Sequence, residues 1–238
     1  MYQLSMSVGT EYASWFYTIE KKLKDSLDGN ALLVTRDEST RLYIAVACET
    51  QAKKKVSAAI CDALLDIYSG PAKRHYFKEN LHLPLLPPEK YNVLLAALVE
   101  FDSLSDRALI KDTFSLESGL NIDGVYNFAF REIKSRWKDI GELTRENAAY
   151  LSDNDIFFEL IKYLFSAITP KTEKILCAYD GENYLLYDSN AGKEPVVSVQ
   201  TEDELLCELI RIAPVCLEIA GQVDKTVFKK LNSIFRER

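Results

Sequence analysis

Few side chains in this sequence are of a type and spacing that could do chemistry. There are two histidines, His75 and His82, seven apart in "KRHYFKENLHLP". A zinc site would need further ligands, and none of the five cysteines (Cys48, Cys61, Cys177, Cys207 and Cys216) is spaced to supply them. Both histidines therefore read as surface or helix-end residues. The cysteines form no C-x-x-C pair, and their odd number does not suit a closed disulfide framework. Apolar surroundings such as "IAVAC" and "PVCLEIA" make them small buried hydrophobes of a reducing compartment. Neither G-x-S-x-G nor H-E-x-x-H occurs. Catalysis here would take the form of remote residues that meet only in the folded chain.

The densest run of carboxylates is "KILCAYDGENYLLYDSNAGKE", residues 174–194, with Asp180, Glu182, Asp188, Asn190 and Glu194 around Gly181 and Gly192. A calcium loop starting at Asp188 would put Gly192 at its fifth position and Val199 at its twelfth, where a bidentate carboxylate belongs. A phosphate loop ending in Gly192-Lys193 would need glycine at Tyr187, and Ser or Thr at Glu194. Both templates fail. What remains is turn chemistry, because Asp-Gly between apolar alternations is a strong hairpin signal.

A different pattern occupies "YNFAFREIKSRWK", where Tyr126, Phe128, Phe130 and Trp137 interleave with Arg131, Lys134, Arg136 and Lys138. Aromatics that stack on bases beside cations that meet phosphate would make a single-strand nucleic-acid surface. An amphipathic helix with a solvated basic face would give the same pattern, and that face could dock an acidic protein. The whole chain weighs on this choice. Its net charge is −7 and its pI about 5.1, which opposes binding that rests on phosphate neutralisation. The amphipathic helix is preferred, with Arg131, Lys134, Arg136 and Lys138 as the candidate interaction face.

At 238 residues, 47% hydrophobic and 27% charged, the chain can build a core of ordinary size. Its first residues lack a basic stretch followed by an apolar run, and no segment approaches the roughly 20 apolar residues of a spanning helix. The expectation is a cytoplasmic protein with no membrane association, no metal and no cofactor.

The elements that must position these residues follow from periodicity. "YQLSMSV" alternates as a strand. In "TEYASWFYTIEKKLKDSL" the residues Tyr12, Trp15, Phe16, Ile19, Leu23 and Leu27 recur at helical steps. "NALLVTRD" and "TRLYIAVACE" form a hairpin through Glu38, Ser39 and Thr40. The next helix runs to about residue 81, with a break or kink at Gly70-Pro71. "LPLLPPEK" punctuates the chain, and Pro88 suits a first helical turn. From there to about 168 the pattern reads helical. Its stripe in 122–140 is Ile122, Val125, Ala129, Ile133, Trp137 (or Arg136) and Ile140. The last third returns to strands at "EKILCAY", "NYLLYDS", "PVVSVQ" and "PVCLEIA". A capping box, Thr201 with Glu204, opens one helix, and "KTVFKKLNSIFRER" forms another.

The order of these features resembles the YtxC-like family of sporulation proteins over roughly residues 120–238. The resemblance rests on Phe130-Arg131 with Lys134, Tyr163-Leu164-Phe165 with Pro170, Leu186-Tyr187-Asp188, Ile212-Ala213-Pro214, and Ile234-Phe235. It implies a cytoplasmic setting in a spore-forming bacterium. It implies no reaction and carries over no catalytic residue.

The expected class is α+β. A β-α-β-β-α unit spans 1–86, a helical region 87–168, and a small mixed sheet with two helices 169–238, the last forming one compact body with the helical region or standing apart. The expected activity is non-enzymatic binding or scaffolding of a protein partner in sporulation. The alternative is nucleic-acid or nucleotide binding through the basic face of the 121–150 helix. A third reading, an enzyme, needs a cleft of convergent polar groups with perturbed pKa values.

Overall fold

The computed structural model describes residues 1–27, 29, 31–190, 192, 194–220 and 223–235. The chain is α+β and divides into two compact units. The first comprises 1–76 and 104–139, the second 77–103 and 140–238.

In the first unit, β1 (Tyr2–Gly9) pairs antiparallel with β3 (Arg41–Cys48), which pairs antiparallel with β2 (Ala31–Asp37). A two-residue strand β4 (Leu120–Asn121) adds in parallel beside β1, giving the order β2-β3-β1-β4. Strand alternation buries Leu4, Met6 and Val8 of β1 with Leu42, Ile44 and Val46 of β3. Helices α1 (Ala13–Ser26) and α2 (Lys53–Ile67) pack on one another and cover this face. Their stripes Trp15, Phe16, Ile19, Leu23 and Val56, Ile60, Ala63, Leu64 supply the rest of the core. Helix α5 (Ser103–Thr113) contributes Asp106 and Ile110.

In the second unit, β5 (Thr172–Tyr179) pairs antiparallel with β6 (Tyr184–Asp188) and parallel with β8 (Pro214–Ala220). β7 (Val197–Val199) lies outside β6. Helix α4 (Pro88–Glu100) is buried from Val93 through Val99 without a break. A helix apolar all round is an interior helix, and α4 is enclosed by α8 (Asn154–Ala167) and α9 (Glu202–Ile212). Phe165 of α8 meets Phe235 of α10 (Lys225–Phe235) edge to face, with ring centres 4.6 Å apart.

By contact, α4 belongs to the second unit and α5 to the first. The stretch 88–168 is not wholly helical, because β4 extends the first sheet. The irregularity expected at Gly70-Pro71 is present, as a π turn and not as a break. Tyr68–Ala72 forms a π turn and α3 (Lys73–Asn80) continues from it. The wider turn accommodates a proline that lacks its N–H.

Candidate functional site

The predicted basic face belongs to α7 (Arg131–Glu146), and the elements before it set its orientation. After β4, a single helical turn α6 (Ile122–Gly124) is capped by Asn121, whose side chain accepts from the Gly124 N–H at 2.9 Å. Arg41 ties this corner to the sheet. Its guanidinium reaches Asp123 at 2.7 and 3.4 Å and also donates to Ser7 and Asn121. Asp123 in turn accepts from the Gly9 N–H at 3.0 Å. Both oxygens of the carboxylate are used, which is the strong fork geometry of arginine pairs.

A second π turn, Val125–Ala129, follows. One extra residue per turn shifts the inward register by one. The buried series is therefore Ile122, Tyr126, Phe130, Ile133 and Trp137, and not the expected Val125 and Ala129. Tyr126 enters a ring cluster with Tyr12, Trp15 and His75, with centroid separations of 4.4 to 6.4 Å. Phe130 lies 4.8 Å from Tyr68. The Tyr68 hydroxyl donates to the Ile122 carbonyl at 3.0 Å. Burial first, then the charge of Asp123, holds that phenol protonated far above its ordinary range.

The inner side of α7 is fixed by a buried ion pair. Lys73 Nζ donates to Asp106 Oδ2 at 2.7 Å, and Trp137 Nε1 donates to the same oxygen at 3.1 Å. Lys73 and Trp137 are fully enclosed. A carboxylate this deep is retained because both donors face it.

The structure separates the four predicted cations. At about 100° per residue, Arg131, Lys134 and Lys138 share an arc of about 60°. Arg136 lies about 140° from Arg131, on the other flank of the buried stripe. Lys134 is half-buried, with its ammonium 3.8 Å above the Tyr126 ring, a cation–π contact. Arg131 and Lys138 are exposed, and Glu132 and Asp139 are exposed on the adjoining arc. Of the four interleaved aromatics, Tyr126, Phe130 and Trp137 are buried, while Phe128 is 78% exposed. Of these residues, Phe128 at the outside of the π turn and then Arg131 and Lys138 are the exposed ones. Phe128 did not stand out in the sequence, because a regular helix gives no reason to separate it from its aromatic neighbours.

In the acidic stretch, Asp180 accepts from the Glu182 and Asn183 N–H groups at 2.9 and 2.8 Å, and Gly181 has φ of 104°. These N–H bonds hold the Asp180 carboxyl below its ordinary value. Asp188 caps its own turn through the Asn190 N–H at 2.9 Å. Lys193 lies outside the described residues. His75 is packed in the ring cluster and His82 is exposed. Among the described residues no three His, Cys, Asp or Glu converge as a metal site. Cys48 and Cys177 are buried, and burial pushes the Cys177 thiol up to about 11. No described helix is long and apolar enough to cross a membrane.

Comparison with family models, with curated proteins and with solved structures finds no match to this chain.

Proposed function

We propose that this chain is a non-enzymatic, cytoplasmic binding or scaffolding protein that docks a protein partner on the outer surface of α7. The observation that carries the reading is Phe128, held 78% exposed by the π turn immediately before the cations Arg131 and Lys138. A large ring that reaches solvent beside two cations matches the make-up of interface anchors, where aromatic residues and arginine are enriched. A complementary partner offers an apolar pocket rimmed by carboxylates. The enzymatic alternative has less support, since Asp106, Asp123 and His75 are engaged in packing and ion pairs. The resemblance to YtxC-like proteins supports a role in sporulation. Nucleic-acid binding has only Phe128, of the four aromatics, placed to stack on a base.

The test is affinity capture from sporulating cells of a spore-forming bacterium. Phe128→Ala and Arg131→Glu/Lys138→Glu are expected to lose partners that wild type and Arg136→Glu both recover. Lys134 is left intact because its ammonium packs on Tyr126. Equal recovery by all variants overturns the reading. Binding of DNA or RNA by the purified protein, with a steep loss of affinity on adding salt, would replace it with the nucleic-acid alternative.

A further inference from the structure

Among the described residues β2 is the outer strand of the first sheet, and two hydrogen bonds show which of its backbone groups point outward. The Glu38 N–H donates to the Arg41 carbonyl at 3.0 Å, so 38 and 41 are a bonded pair across the hairpin. On the other side of β3, the Thr10 N–H donates to the Thr40 carbonyl at 3.2 Å. Bonded and non-bonded pairs alternate along an antiparallel ladder. Leu32, Val34 and Arg36 therefore turn their N–H and C=O toward β3. Ala31, Leu33, Thr35 and Asp37 turn theirs away from the sheet.

Edges of this kind are ordinarily guarded by lysine, proline, a bulge or a covering element. The strand "ALLVTRD" contains neither lysine nor proline, and its register with β3 runs unbroken from Ala31 to Asp37. Leu32 and Val34 stand on the sheet face opposite the helices, 66% and 51% exposed, across from Ala47 and Ala45.

We propose that β2 pairs antiparallel with β2 of a second copy, about a two-fold axis at Val34, joining the two first sheets into one. In this register Leu33 bonds Thr35 of the other copy and Ala31 bonds Asp37, so each of the four outward residues finds a partner. Val34 meets Val34, and Leu32 lies along the aliphatic stem of Arg36. Charge selects this arrangement. Arg36 and Asp37 of the two copies sit at opposite ends, whereas a parallel pairing would stack like charges directly. The two charges also cancel within the strand, so the net −7 of the chain is not concentrated at the contact. The interface is isologous, as two-fold dimers require. Seven residues a side is well under the roughly 20–30 of a standard interface, so the dimer is weak and depends on concentration.

The test is sedimentation equilibrium of the full chain from low micromolar to near-millimolar concentration. The apparent mass is expected to rise from the monomer's 27.1 kDa toward twice that value. Thr35→Pro removes an outward N–H while leaving the ladder to β3 intact, a position where an edge strand tolerates proline. It should weaken association roughly tenfold or more with unchanged circular dichroism. Val34→Lys, which sets two ammonium groups face to face at the axis, should do the same and decides the matter if Thr35→Pro fails to fold. A wild-type chain that stays monomeric throughout overturns the proposal, as it would if the edge took a foreign strand instead. Association unchanged in both folded variants overturns it equally.

Discussion

At the scale of single residues, the buried Lys73–Asp106 pair bears most on how the α7 surface is held. Asp106 receives Lys73 and Trp137 on one oxygen in an enclosed site. Asp106→Ala removes the carboxylate that compensates a buried ammonium, a change that costs on the order of 3–5 kcal/mol. Chemical denaturation should show a loss of that size. Lys73→Met/Asp106→Leu, which removes both charges, should recover most of it, and a double variant as unstable as the single would contradict this account. The pair was not legible in the sequence. Its members lie 33 positions apart on different elements, and nothing local distinguishes them from the other 35 carboxylates and 28 cations of the chain. Thr201 and Glu204 were legible because a capping box is complete within four residues. Each side chain accepts from a backbone N–H of the other's neighbourhood in the fold.

At the scale of elements, the strands other than β4, the hairpins and the amphipathic helices follow from periodicity. The two π turns do not. Gly70-Pro71 announced an irregularity but not its form, and Val125–Ala129 has no comparable signal, so the inward stripe was misplaced by one residue up to Phe130. Turns and caps of the second unit yield a pH prediction. Asp180, Glu204 and Asp224 accept backbone N–H bonds that hold their carboxyls below the ordinary 3.8 of Asp and 4.5 of Glu. A carboxyl with a depressed folded pKa stabilises the fold above its unfolded pKa. That contribution is lost as pH falls through the folded value. These groups should leave stability level from neutral pH down to about 5 and lower it below about 4. The variant Asp180→Asn/Glu204→Gln/Asp224→Asn should show a shallower acid slope in denaturant midpoints. An unchanged slope would place the acid sensitivity elsewhere. At neutral pH, Thr201→Ala should cost about 1 kcal/mol through the lost cap.

At the scale of the whole molecule, the chain carries two surfaces of opposite character on its first unit. The α7 surface joins one aromatic ring to exposed cations. The β2 edge is apolar along Leu32, Leu33 and Val34, with its two charges cancelling. Composition alone gave the sign of neither, because a net charge of −7 conceals a local basic arc and says nothing about sheet edges. Salt separates the two. Attraction between exposed charges is screened within about 10 Å at 0.1 M and about 3 Å at 1 M, while apolar burial and backbone pairing are not. Raising ionic strength over that range should release a partner held at Arg131 and Lys138, and should leave self-association through β2 unchanged. The two titrations can be run on one preparation, by partner retention and by sedimentation. Self-association that dissolves in salt along with partner binding would mean that the copies meet through the charged face of α7. The β2 edge would then have no part in assembly.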